Sequence, residues 1–382
     1  MHYHRAGIIL DKDFKPVHNA ALVVENGIIC GLIKNPSNLS KKNTTDHGPG
    51  ILIPGLINSH THLDLSFLKN RLDYSGGFAS WVKQLINIRE NTSETEKIEK
   101  AKAEINDLFK SGNVAAGDIS SLESLKSIFI NSPVSGFIFY EEIGETEKFL
   151  KKHKEEKVSY AAHAPHTTSS QLIKKIKKFT DYYNLPFSVH CCESDEEESF
   201  LKGNNKKWEE FLNSRNIDFS SWPLPSDSGV KYLDKLKVIN KNTLLVHLLN
   251  SDKNDFEIVK KRGANVCVCP RSNKNLHGKL PDIGKMLEYK INICLGTDSL
   301  ASCDSLDIFD EMKFVYNNYK SISPENILKM TTINPAKVFN QEPFYAQPDK
   351  KDSFCMVYLS DVSKDIFESI IFSEKTKRKP IL

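Results

Sequence analysis

Pro54-Gly55-Leu56-Ile57-Asn58-Ser59-His60-Thr61-His62 runs from a Pro-Gly turn through an apolar stretch into two histidines one residue apart. In an extended chain side chains alternate with a period of two, so both imidazoles project to the same side. At the C-terminal end of a barrel strand, that side is the mouth where active sites of closed α/β barrels assemble. The spacing alone carries little information. His2 and His4 repeat it without any of the other features described below and are expected to be a surface feature.

Outward from this stretch, short apolar runs alternate with lysine- and glutamate-rich helical segments, the pattern of repeated βα units around a parallel sheet. Eight such runs are counted: Leu56–His60, Val114–Ile119, Gly136–Glu141, Tyr160–Ala164, Phe187–Cys191, Leu244–Leu248, Val266–Cys269 and Ile291–Gly296. Eight strands are what a (β/α)8 TIM barrel needs. Helices with apolar residues at three-to-four spacing are expected over Glu94–Lys110, Gln171–Tyr182, Asp255–Arg262 and Ile308–Tyr319. Proline at the first helical position marks two more, at Ser323-Pro324-Glu325 and Asn334-Pro335-Ala336. The longest interruption, Ser199 to Leu236, and the stretch after His62 are candidate lids.

Upstream, Ala6–Leu10, Ala21–Glu25 and Ile28–Ile33 read as short strands, with Asn26-Gly27 as the turn between the last two. Phe354–Leu359 reads as a late strand whose simplest partner is this N-terminal unit. The expected organisation is α/β: a catalytic barrel over 54–340 and a small β-sandwich domain composed of both chain ends, 1–53 with 341–382.

Composition narrows the function classes. Hydrophobic residues make up 39% and charged residues 26%, which supports a large core. A net charge of +3, from 52 basic and 49 acidic residues, gives no footprint for nucleic acid. The lysines at 174, 175, 177 and 178 suit the wet face of a helix. No membrane span or signal segment is read, so the expected location is cytoplasmic. The eight cysteines, among them Cys191-Cys192 and Cys267-x-Cys269, match no disulfide framework or zinc ribbon and are expected to be reduced core thiols. Most of the acidic run Glu193 to Glu198 is expected to be solvated, its first member being treated separately below.

Further ligand types end other expected strands: His190 the fifth and His247 the sixth, with Asp298 just after the eighth in Leu295-Gly296-Thr297-Asp298. Together they converge on one mouth. His60, His62, His190 and Asp298 form a donor set suited to one first-row divalent cation with an open position for water. Water on such a cation has its pKa lowered to about 7. Glu193, three residues after His190, is placed to take the proton and hand it to a ring nitrogen, and His247 to hydrogen-bond the attacking group.

This combination resembles the amidohydrolase superfamily, specifically its mononuclear deaminase and chlorohydrolase branch. The resemblance runs from Val23-Val24-Glu25-Asn26-Gly27 through Pro54–His62 to Thr332-Ile333-Asn334-Pro335-Ala336. It implies ligands at His60, His62, His190 and Asp298, with Glu193 as proton shuttle, His247 beside the water, and zinc or iron as the metal. Binuclear relatives place a carboxylated lysine at the mouth end of strand four. Tyr160-Ala161-Ala162-His163-Ala164-Pro165-His166 has none, and Lys157 lies at the other end, so one metal is expected.

Ala164-Pro165-His166 looks like the motif whose histidine reaches substrate in nucleoside deaminases. Cys269-Pro270-Arg271-Ser272-Asn273 and Gly296–Ser302 also resemble this branch, with Ser302 a substrate-side candidate. His62-Leu63-Asp64-Leu65-Ser66, Gly77-Phe78-Ala79-Ser80-Trp81-Val82 and Glu193-Ser194-Asp195-Glu196-Glu197 are similar to the aminodeoxyfutalosine deaminase group of menaquinone biosynthesis. Trp81 offers a stacking face for a base or a packing surface for a helix start.

Three features depart from the branch: Cys303, where asparagine is common; Cys191-Cys192; and the absence of a glycine-rich turn near Asp349–Ser353. The reaction implied is hydrolytic deamination of an aminopurine nucleoside, with 6-amino-6-deoxyfutalosine favoured. Adenosine, S-adenosylhomocysteine or guanine deamination, triazine dechlorination, cyclic-amide hydrolysis and a non-catalytic barrel subunit are the alternatives. Relatives in the branch are often dimers.

Overall fold

A computed structural model describes residues 1–11, 13–26, 28–152, 157–339, 354–357 and 365–381. Eight parallel strands form one sheet in sequential order: Leu56–Thr61, Asn113–Ser120, Ser135–Glu142, Val158–Ala162, Phe187–Cys191, Thr243–His247, Asn265–Val268 and Asn292–Leu295. The eighth strand returns to the first through a parallel bridge between Thr61 and Asp298. There Asp298 N–H donates to the His60 carbonyl at 3.0 Å, and the buried Asn58 amide spans the seam to Thr297 Oγ1 at 2.7 Å. The barrel is therefore closed by hydrogen bonds at the height of the His-x-His pair. Gly296 permits the approach, since a Cβ there would lie 2.8 Å from His60 Cβ and 2.7 Å from Cys267 Sγ.

The strands are buried almost throughout, as expected where helices cover the outside and side chains fill the interior. Ile57, Ala115, Phe139, Leu244, Val246 and Cys267 pack inside with Ala336 and Phe339, which close the barrel floor from the Ile333–Val338 helix and its end. Helices occupy Glu94–Lys110, Ser170–Tyr182, Lys253–Arg262 and Ile308–Asn318, within two residues of the sequence expectation. Ser93, Ser169 and Asp252 cap the first three by accepting backbone N–H groups.

One lysine departs from the wet-face reading. Lys177 is buried and donates to Asp181 Oδ1 and Asn240 Oδ1, both at 2.7 Å, because its stem crosses the helix–strand interface before its ammonium finds polar partners.

The chain ends share a second, seven-stranded sheet. Its path runs Arg378–Ile381, Phe354–Val357, Ile51–Pro54, His2–Leu10, Pro16–Glu25 and Ile28–Lys34, with Thr44–Asp46 also along His2–Leu10. Phe354–Val357 pairs antiparallel with Ile51–Pro54, the strand that leads directly into the histidine strand. Gly27, the expected domain boundary at 340/341, the turn near 349–353 and the end of the late strand at 358–359 lie outside the described residues. No helix among the described residues is long and apolar enough to cross a membrane.

Candidate active site

The first barrel strand presents His60 and, just past its end, His62; the fifth presents His190 and the sixth His247. Asp298 follows the eighth strand with φ of 60°, and His247 has φ of 78°, left-handed values unusual for residues with a Cβ. Such strain at the ends of strands is held by the surrounding barrel and turns side chains into the mouth.

His60 Nε2 and His190 Nε2 are 3.2 Å apart, and Asp298 Oδ1 lies 3.8 Å from His60 Nε2 and 3.6 Å from His62 Nε2. Nitrogen ligands about 2.0–2.1 Å from one tetrahedral zinc would themselves be separated by about 3.3 Å. The supporting bonds fix the right forms. His190 Nδ1 is 2.8 Å from the His163 carbonyl, which accepts the ring N–H and leaves Nε2 as a lone pair. Burial, followed by the neighbouring imidazoles of His190, His62 and His247, holds the His60 pKa well below its ordinary value, so that ring is neutral. Asp298 Oδ2 accepts Ser272 Oγ at 2.6 Å and Ser302 Oγ at 2.8 Å, leaving Oδ1 toward the histidines. His60, His62 and His190 each offer one ligand atom within 4.8 Å of the others, with Asp298 Oδ1 beside them, and this donor set fits one cation.

Glu193 Oε1 lies 3.6 Å from His247 Nε2 and 3.7 Å from His277 Nε2. Burial disfavours its charge, but the imidazoles of His247, His277 and His190 outweigh that and hold the carboxyl well below the usual range. Asn273 Nδ2 is 3.2 Å from His247 Nδ1, fixing the ring's rotation. The turn carrying Glu193 is itself pinned. Buried Glu197 accepts the backbone N–H groups of Cys192 at 2.8 Å and Glu193 at 3.0 Å. This corrects the reading of the acidic run as solvated, since Glu197 has no exposure. Burial pushes its carboxyl up to about 7 against those two bonds.

His62, His190, Glu193, His247 and Asp298 line one wall of a cleft whose other walls include Phe78, Trp81, Leu85, Trp208 and Phe211. Trp81 lines the cleft and also donates Nε1–H to the Ala301 carbonyl at 2.9 Å, tying its helix to the loop after the eighth strand. His166 lines it too, under Trp208, which donates to the His166 carbonyl at 3.1 Å. Burial lowers the His166 pKa to about 3. Ser302 is not on the cleft wall: it is fully buried behind Asp298, bonded to its carboxylate. His2 and His4 lie in the terminal sheet, where His4 stacks on His47. Cys191, Cys192, Cys267, Cys269, Cys294 and Cys303 are buried free thiols, and Cys30 is exposed.

Sequence reasoning missed His277, Arg89, Glu141 and His163 as cleft-side groups. Glu141 ends an expected strand and was legible by the rule that found His190. His277 comes from a helix end, and no spacing rule points to it.

A profile described as the amidohydrolase family matches residues 51–343, and the chain belongs to that family. It is accordingly a hydrolase acting on carbon–nitrogen bonds other than peptide bonds, in a family that is metal-dependent. It is 26% identical over 360 residues to a 5-methylthioadenosine/S-adenosylhomocysteine deaminase of Pyrococcus furiosus, covering 87% of this chain and 80% of that one. The fold is similar to that of Helicobacter pylori aminofutalosine deaminase in complex with methylthio-coformycin, with TM-score 0.83 and 21% identity over 99% of this chain and 100% of that one. An adenosine deaminase from Xanthomonas campestris with bound zinc superimposes with TM-score 0.77 at 16% identity, covering 99% of this chain and 92% of that one.

Proposed function

We propose that this chain is a hydrolytic deaminase of an adenine-type nucleoside, with 6-amino-6-deoxyfutalosine as the favoured substrate. The observation that carries the reading is the placement of Glu193 between His247 and His277, on the wall of an aromatic-lined cleft that also exposes His62, His190 and Asp298. His60, His62, His190 and Asp298 would hold one divalent cation, zinc or iron. When bound, that cation supplies an acidified water, with pKa near 7, as the nucleophile.

The chain's own residues do the rest. Glu193 takes a proton from the attacking water and carries it to a ring nitrogen, so that the amine-bearing carbon accepts attack and ammonia can leave. His247, held by Asn273, is a hydrogen-bond donor beside the attacked carbon. Phe78 and Trp81, stacked with ring centroids 5.7 Å apart, offer an apolar wall to a flat heterocycle. His166, also on the cleft lining, is a candidate contact for the sugar. The two deaminase relatives, one by sequence and one by fold, support a nucleoside substrate, and the segments around His62, Trp81 and Glu193 support the futalosine-type choice.

Ammonia release from 6-amino-6-deoxyfutalosine, adenosine, S-adenosylhomocysteine, 5′-deoxyadenosine and guanine, with product masses, tests this. Replacement of amine by oxygen adds about one dalton, whereas ring opening adds a whole water. Activity on none of these compounds by metal-replete protein would refute the proposal.

A further inference from the structure

The adjacent cysteines Cys191 and Cys192 have no part in the site described above. Cys191 ends the fifth barrel strand, and Cys192 follows with φ of 54°. Along an extended chain neighbouring side chains point to opposite faces. The left-handed turn at Cys192 breaks that alternation, and the two sulfurs come to 3.7 Å from each other. The dipeptide is held there by its neighbours: Leu248 N–H donates to the Cys191 carbonyl at 3.0 Å and Asn250 N–H to the Cys192 carbonyl at 2.8 Å.

Glu197 completes the group. The two sulfurs and a carboxylate oxygen of Glu197 all lie within 4.8 Å of one another, and all three side chains are buried. Glu197 Oε1 accepts Cys192 N–H at 2.8 Å, and Oε2 accepts Glu193 N–H at 3.0 Å. A carboxylate has about four lone-pair sites on its two oxygens, so acceptor capacity remains on each. Gly229 borders the same place. A Cβ there would lie 2.4 Å from Glu197 Oε1 and 3.0 Å from Cys191 Sγ, so the missing side chain leaves room beside both atoms. None of the three side chains lines the aromatic cleft.

Two sulfur ligands about 2.3 Å from one tetrahedral cation would be about 3.8 Å apart. The 3.7 Å between Cys191 Sγ and Cys192 Sγ matches that spacing. Thiolates select soft cations, whereas the imidazole and carboxylate donors around His60 suit zinc or iron. We propose that Cys191, Cys192 and Glu197 form a second cation site, separate from the His60 site, for a soft thiophilic cation of the cadmium or copper(I) class. On binding, the two thiols release their protons to solvent and two sulfur–metal bonds form, with no change of oxidation state. The cation then closes residues 191–197 into a ring that contains Glu193, and so braces the turn that Glu197 already pins through two N–H groups.

The test starts from protein carrying one equivalent of zinc and adds cadmium. The parent protein should take up one further equivalent, with thiolate-to-cadmium charge-transfer absorption in the ultraviolet, while mass spectrometry finds the zinc retained. Its thermal unfolding should move upward with the added cation. Cys191→Ser and Cys192→Ser should each keep the zinc and lose both the absorption and the cadmium-dependent shift over the range that saturates the parent. Retained zinc shows that a variant has folded around His60, and where a serine variant fails to fold the alanine variant at that position replaces it. Absorption unchanged in both variants would assign the cadmium to other thiols and overturn the proposal. A parent protein that binds no further cadmium, or binds it only by giving up its zinc, overturns it as well. Because the probe reads sulfur–cadmium bonds and not turnover, its failure leaves the deaminase reading intact.

Discussion

His60 and His190, 130 residues apart in the chain, hold their Nε2 atoms 3.2 Å from each other at the mouth of the barrel. That is the spacing two nitrogen ligands of one proposed cation would have. Chelator-treated protein should bind one equivalent of zinc or iron and gain thermal stability that rises with the logarithm of metal concentration. His60→Ala should lose stoichiometric metal and lower activity by roughly two orders of magnitude or more. Metal analysis by mass spectrometry alongside thermal melts checks both, and an unaltered metal content in His60→Ala would contradict the assignment.

Ser272 and Ser302 act one step behind the donors. Each hydroxyl donates to Asp298 Oδ2, and together they fix which carboxylate oxygen faces the histidines. Ser272→Ala should weaken metal affinity roughly 10- to 100-fold, as loss of a supporting hydrogen bond does elsewhere, with kcat largely recovered at saturating metal. Competition with a metal-sensitive dye gives the affinity. A kcat defect that metal cannot repair would show that Ser272 serves something else.

Glu193 depends on Glu197, and Glu197 depends on the smallness of residue 229. A Cβ at Gly229 would lie 2.4 Å from Glu197 Oε1 and 3.0 Å from Cys191 Sγ. Gly229→Ala should displace the carboxylate that holds the Cys192 and Glu193 N–H groups, costing about 1–3 kcal/mol of stability through overpacking. Its kcat should fall while metal content is retained. Glu193→Gln, which removes the proton carrier and leaves the turn in place, should lower kcat roughly 10²- to 10⁴-fold. Denaturant melts and steady-state kinetics separate the two variants: only the alanine should lose stability.

Glu311 gives the fold a pH dependence apart from the active site. It is fully buried, Arg271 Nη1 is 3.7 Å away, and its Oε1 has no hydrogen-bond partner. Burial raises its pKa from 4.5 to about 8, with Arg271 only partly offsetting. A carboxyl raised in this way binds its proton more tightly folded than unfolded. Its contribution to stability is full below about pH 4.5 and is lost as pH rises through about 8. Between about pH 5 and about pH 9 the midpoint of thermal unfolding should therefore drop less in Glu311→Gln than in the parent protein. Equal drops would remove Glu311 as the cause.

The barrel was legible in the sequence because its strands are short apolar runs that can be read locally, and burial on both faces leaves little alternative. A helix start was legible where Ser precedes Pro, at Ser323-Pro324, whereas at Asn334-Pro335 the helix already begins at Ile333. The four proposed metal donors were legible for the same reason: strand ends are read locally. What escaped were groups whose task depends on distant partners. Ser302 looked like a substrate contact because its motif is near the cleft, whereas its hydroxyl turns back to Asp298. Glu197 looked solvated because four of its neighbours are acidic. Only the folded turn reveals the two N–H groups that draw it inside.

The donor set straddles the seam where the eighth strand meets the first, with His60 and His62 on one edge and Asp298 on the other. During synthesis the two histidines leave the ribosome long before the aspartate does. A growing chain accordingly owns only a partial chelate until its last barrel strand has docked, and full loading becomes a report on finished folding. Circular permutation across that seam would let the order of emergence be reversed while keeping the same side chains.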